Sequence, residues 1–331
     1  MDEGILSKNA CPLNDLLFQP PTLGKAGREG RPSDSEDLHH GISGHKRKDR
    51  KYKIMKKPSI MCIGAHADDI EFSAGGTCLK YLDKGYEIDY VMSTNNMSGQ
   101  FHIVEKDNTI TRKEGEPTIM EPIRKREAAA GAAILQTVPI HLDHPQRHYT
   151  GTALERVQEG YGVPIPKGAT LGRPSIMVAY DDQESVDRVK DLILERSPEA
   201  VLTQNLISES PEHYATAMLL LRGYRKAVKA GYSGPLLFWN EFCQSTELDR
   251  SFFLWDSFID ISGLRQRQFD LIRAHITMVP FPERMDYLDF TTETGVKDAE
   301  LFKFASPVRD FKPTGDFTSE LMKNLKASGA Q

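Results

Sequence analysis

From residue 58 onward, short apolar runs of strand character alternate with segments of helical period, and no other feature restricts the possible fold as much. The runs 60–63, 86–92, 138–142, 176–178, 200–203 and 236–240 read as strands, and the stretches 74–84, 124–135, 183–195 and 211–229 as helices. Such alternation points to an α/β fold, a Rossmann-like, mostly parallel sheet with helices on both faces. The first helix is read as following the pair Gly75-Gly76, which lacks the GxGxxG spacing of a dinucleotide site. Two polar connections, 95–121 and 143–175, exceed ordinary loop lengths and are expected to lie over the C-terminal strand ends, covering or lining a site.

The chain has 331 residues, 39% of them hydrophobic, enough for one substantial core. A single catalytic domain of roughly 250 to 270 residues with an appendage fits that length better than two domains. Residues 1–57 hold twelve Lys or Arg against eight Asp or Glu, so the overall charge of -5 leaves about -9 on the rest. A large basic face on the folded part is therefore not expected. Residues 1–57 read as a disordered tail with a basic end at residues 46–57, 58–310 as the folded domain, and 311–331 as a C-terminal tail. The basic run is read first as a solvated linker, with nucleic acid or an anionic surface as the alternative partner. Four cysteines without CxxC pairing argue for a reducing compartment and against thiolate zinc. No stretch reaches the roughly 20 apolar residues of a membrane span, so a cytoplasmic protein is expected.

The chemistry gathers where the first strand ends. The apolar run Ser59-Ile60-Met61-Cys62-Ile63-Gly64 gives way to Ala65-His66-Ala67-Asp68-Asp69-Ile70-Glu71. In open α/β sheets, strand ends of this kind face the ligand crevice, and a histidine close to aspartates offers the N and O donors that Zn²⁺ takes. A third ligand is best sought where the strand 200–203 passes into the next helix. Pro211 suits a first helical position and puts His213 on the first turn, facing the same crevice. Two histidines and a carboxylate make an open site that keeps a position for water. Asp68, beside Asp69 but directed differently, is placed to accept the water proton and return it to a leaving amine. Glu71 is read as a loop anchor and Cys62 as a core residue.

The sequence resembles the PIG-L/LmbE-like family of zinc-dependent N-acetylglucosamine deacetylases over about residues 58–304. The resemblance rests on Ala65-His66-Ala67-Asp68-Asp69 with Gly75-Gly76, matching an AHPDD-type motif in which Ala67 replaces the usual proline, and on the RxxE helix at Arg124-Lys125-Arg126-Glu127. Weaker matches are Asn240-Glu241, the segment ending at His275, and Ala299-Glu300-Leu301-Phe302. It implies metal ligation by His66, Asp69 and His213, with Asp68 as general base and Arg124 in contact with substrate. Several positions depart from the pattern. Ser210 stands where an HPDH-like motif carries the oxyanion histidine. Gln146, in a segment with His144 and His148, replaces a sugar-contacting Asp. The loop Thr94-Asn95-Asn96-Met97-Ser98-Gly99 stands where TxGExG is common. Asn96, His144, Gln146 and Ser210 join Arg124 as the expected substrate shell.

The implied activity is hydrolysis of an N-acyl, most simply N-acetyl, group on an amino sugar or sugar conjugate, in a chain able to form a homo-oligomer. Zn²⁺ is the expected metal, with Fe²⁺ and Co²⁺ accepting the same donors. The alternatives are a catalytically impaired member serving as a metal-containing binding or regulatory module, and an amidase or esterase acting on a non-sugar substrate.

Overall fold

The structure is a computed structural model that describes residues 56–97, 100–115, 117–146, 173–208, 210–240, 255, 257–284, 291–305 and 326–327. All of them belong to the second of two compact units, Ile54–Gln331. The parallel half of its sheet is built from β1 (Ser59–Gly64), β2 (Glu87–Thr94), β5 (Ile140–His144), β6 (Ala200–Gln204) and β7 (Leu236–Trp239). Three strands extend it in antiparallel fashion: β8 (Ser257–Asp260), β9 (Ala299–Phe304) and β10 (Lys326–Ala327). The spatial order is β10-β8-β9-β7-β6-β1-β2-β5. From β1 the chain crosses to β2 and β5 on one side, and it returns later to β6 on the other. The sheet therefore has its topological switch point between β1 and β6, and a crevice opens at their carboxyl ends.

The helices are α1 (Asp69–Asp83), α2 (Pro117–Ile134), α3 (Ile176–Ala179), α4 (Gln183–Arg196), α5 (Pro211–Lys229), α6 (Arg265–Ile272) and α7 (Thr291–Thr294). Strand β1 is buried on both faces, as the continuous apolar run of a central parallel strand requires. Ile60 and Cys62 pack in one core with Ile70, Cys78 and Leu79 of α1 and Ala128 and Ala132 of α2. Met61 and Ile63 pack in a second core with Val186, Val189 and Ile193 of α4 and Leu219 and Leu220 of α5. Each such aliphatic side chain stabilises the fold by about 1.5–3 kcal/mol. Helix α4 begins where Asp182 accepts the Ser185 N–H at 2.8 Å, and Pro211 opens α5 as expected.

Four expectations are corrected. Helix α1 starts at Asp69, so Gly75 and Gly76 lie inside it; a Cβ on Gly76 would stand 2.6 Å from Ile261 Cδ1. The glycines permit close packing and do not mark a helix entry. Residues 176–179 form a short helix, α3, whose N-cap Ser175 accepts from Met177 N, because so short an apolar run carries no period to separate helix from strand. The connection 95–121 holds a hairpin, β3 (Gln100–Val104) with β4 (Ile110–Glu114), and the start of α2. There Pro122 removes one helical N–H and crowds the carbonyl of Thr118, in an exposed turn where water can bond that carbonyl. Residues 326–327, assigned to a tail by sequence, pair with β8; two residues are too few to show strand alternation. The span 147–172, the bulk of the second long connection, lies outside the described residues. No described helix is long and apolar enough to cross a membrane.

Candidate metal centre

His66 and Asp69 sit where β1 turns into α1, and His213 lies on the first turn of α5, directly after β6. The switch point thus brings together residues 147 positions apart. Their ligand atoms all lie within 4.8 Å of one another. His66 Nδ1 is 3.1 Å from His213 Nε2, and the Asp69 carboxylate lies 3.5 Å from the first and 3.3 Å from the second. Two imidazole nitrogens and a carboxylate aimed at one point form a donor set that fits a borderline-hard cation with a coordination position left over. Burial works against the charge on Asp69, but His213 and His66 overcome it and hold its carboxyl well below the usual range.

Supporting bonds orient these ligands. Asp69 Oδ2 accepts from His66 N at 2.6 Å and from Gln204 Nε2 at 2.5 Å. Ser208 Oγ is 3.4 Å from His213 Nδ1, the nitrogen turned away from the cluster. Acidic residues in the first turn of α1 also complement the positive helix end. Gln204 escaped sequence reasoning; the only available signal was its place as the polar last residue of a buried strand.

Asp68 is the N-cap residue of α1, with φ 114°, a left-handed value unusual for any residue bearing a Cβ. Burial pushes its carboxyl upward, while Arg124 pulls it down. Arg124 Nη2 is 3.4 Å from Asp68 Oδ2 and donates to Ala67 O at 2.6 Å. One helical turn on, the fully buried Glu71 accepts from Tyr90 OH and pairs with His275 Nε2, each at 2.8 Å. Burial opposes charge on His275, but Glu71 and Asp68 together raise its pKa. Helix α2 passes over this pair at Gly131, where a Cβ would lie 2.5 Å from Glu71 Oε1. Glu71 is thus a buried anchor of α1, in agreement with its expected role.

The remaining expected shell residues make local contacts of their own. Asn96 is 1% exposed and accepts the Ala67 N–H through Oδ1 at 2.7 Å. His144 is the last residue of β5 and fully buried; its Nδ1 donates to Pro174 O at 3.0 Å, and burial lowers its pKa. Gln146 is buried, its N–H bound to Asn95 Oδ1 at 3.1 Å. Ser210 caps α5, and its hydroxyl donates to Glu212 Oε2 at 3.3 Å. His148 and Glu241 lie outside the described residues.

The family model described as "PIG-L: GlcNAc-PI de-N-acetylase" matches residues 61–223, a span that includes all three ligands. No curated protein matches the sequence. Among solved structures, 4-carboxy-2-hydroxymuconate hydratase from Pseudomonas putida is 17% identical, with a TM-score of 0.52 over 78% of this chain and 99% of its own. N,N'-diacetylchitobiose deacetylase from Pyrococcus horikoshii is 17% identical, with a TM-score of 0.46 over 75% of this chain and 83% of its own. A deacetylase of teicoplanin biosynthesis is 14% identical, with a TM-score of 0.48 over 75% of this chain and 100% of its own. At such identities, the first of these supports the fold alone.

Proposed function

The chain belongs to the GlcNAc-PI de-N-acetylase (PIG-L) family, and from that premise we propose that it is a zinc-dependent hydrolase removing an N-acyl group, in the simplest case acetyl, from an amino sugar or sugar conjugate. The observation that carries the reading is the convergence of His66 Nδ1, Asp69 and His213 Nε2 beside a fourth side chain, the buried Asp68, which is left out of the cluster. Zn²⁺ in that donor set supplies Lewis acidity, bringing the acidity of water toward neutral pH and polarising an amide carbonyl.

The protein's own groups then divide the work. Asp68 removes the proton from the attacking water and passes it to the nitrogen as the C–N bond breaks, so the acyl group leaves with the hydroxyl and the amine with the proton. Gln204 and the His66 N–H hold the Asp69 carboxylate in its ligating pose.

A second reading, a family member with weak or no turnover, is favoured by one observation. The Ser210 hydroxyl, at the place of the usual oxyanion donor, is engaged by Glu212. Loss of one positioned donor costs about 3 kcal/mol of transition-state stabilisation, or roughly a hundredfold in rate. Acetate release from N-acetylglucosamine and its glycosides by the zinc-loaded protein tests between the two. Turnover that disappears in Asp68→Asn supports the deacetylase; absence of acetate from the zinc-loaded wild type favours the second.

A further inference from the structure

We propose that Asn96 and Arg124 are positioning residues for Asp68, holding the two peptide groups that flank the Ala67 Cα; the inference rests on the deacetylase reading above. A left-handed conformation at a residue with a Cβ persists only where its surroundings over-determine it. Around Asp68 they do. Ala65 O accepts from Thr94 N at 3.1 Å and Thr94 Oγ1 at 2.6 Å, and Asp68 O accepts from Phe72 N at 3.0 Å. Between those ties, the Ala67 N–H donates to Asn96 Oδ1 at 2.7 Å and Ala67 O accepts from Arg124 Nη2 at 2.6 Å. The two peptide groups that lead into Asp68 are thus each held by a side chain from a separate element, the first by Asn96 at the exit of β2 and the second by Arg124 of helix α2.

Both clamping residues are buried within the fold. Asn96 is 1% and Arg124 3% exposed, and each spends a polar atom on backbone. Asn96 itself sits at φ 57°, where Asn is the best tolerated residue after Gly, and its amide is held in turn by Thr94 O at 3.3 Å. The pairing with Ala67 has its own logic. Proline, usual at this place in the motif, has a fixed φ and no N–H. Alanine brings freedom in φ and a buried N–H that must find a partner. Asn96 Oδ1 satisfies the N–H and restores the lost rigidity, so residues 67 and 96 form a coupled pair.

Steady-state kinetics of the zinc-loaded protein with N-acetylglucosamine as probe test this. Asn96→Ala and Arg124→Lys should each lower kcat about ten- to a hundredfold while KM stays within about twofold, the signature of misplaced chemistry with intact binding. Ala67→Pro alone should lose activity, leaving Asn96 Oδ1 without its donor, and the double variant Ala67→Pro/Asn96→Gly should recover to within about threefold of wild type. A rise in KM at unchanged kcat, or additive losses in the double variant, overturns the clamp. The crystal structure of Asn96→Ala with added zinc reads it without turnover: Asp68 should relax away from the left-handed region, and an unmoved Asp68 contradicts the proposal. Should the wild type release no acetate, the deacetylase reading falls, and that crystal structure alone decides the clamp.

Discussion

Among single residues, Gln204 separates what sequence spacing shows from what it hides. Its Nε2 donates to Asp69 Oδ2 at 2.5 Å across the β1/β6 pairing, and groups that orient a metal ligand usually matter nearly as much as the ligand itself. Gln204→Leu should weaken zinc binding about 10- to 100-fold in a chelator competition, with the fold intact; equal affinity in the two proteins would refute this role. His66, Asp68 and Asp69 were legible because their chemistry is local, four consecutive residues at a strand end. Gln204 was not, since its neighbour lies 135 residues away and is set by sheet register. Arg124 and Asn96 were expected to contact substrate; their bonds to the Ala67 backbone were not legible, because a sequence does not show whether a polar side chain points at solvent or at backbone.

Helix α1 shows how a motif can be seen and its structural meaning missed. Gly75-Gly76 suggested a helix start, because glycine breaks helices in isolation. In the structure the pair lies within the helix, and the helix packs so closely on Ile261 and Leu271 that no Cβ fits at Gly76. The two accounts predict opposite signs. Were the glycine merely permissive, Gly76→Ala would stabilise by up to about 1 kcal/mol through helix propensity. With Ile261 atoms at 2.6, 2.8 and 2.9 Å from the added carbon, overpacking should dominate and destabilise by about 1–3 kcal/mol. Urea unfolding of the two proteins decides; a midpoint raised by the substitution would contradict the packing account. The helices 183–195 and 211–229 were readable almost to the residue, because a cap or a proline marks where each begins. The hairpin β3–β4 was not, its strands being short, with β3 only half-buried and β4 exposed.

Across the whole molecule, Glu300 ties the antiparallel half of the sheet to helix α1, which carries Asp69. From β9 its carboxylate accepts the Gly76 and Thr77 N–H groups at 2.8 Å and the Thr77 hydroxyl at 2.5 Å, and Gln268 Nε2 at 3.1 Å. Burial pushes its pKa up to about 7 from 4.5, against the pull of those donors. The folded protein therefore keeps a proton that the unfolded chain releases between those values. Stability from this group is present below pH 4.5 and lost as pH rises through 7, by up to about 3 kcal/mol. Relative to Glu300→Gln, the wild type should lose stability between about pH 5 and 8 in chemical unfolding; a pH-independent difference would contradict it. The parallel half of the sheet followed from its alternation of elements. The antiparallel extension did not, because β8 and β9 are short and pair across long stretches of sequence.

The most direct test of the account counts zinc per chain by elemental analysis in wild type, Asp68→Asn and His213→Ala, with acetate release measured on the same samples. The account predicts about one zinc and turnover in the wild type, about one zinc without turnover in Asp68→Asn, and neither in His213→Ala. Equal loss of metal in the two variants, or a wild type that takes up no zinc when it is supplied, would contradict the division between a His66, Asp69 and His213 centre and an Asp68 base.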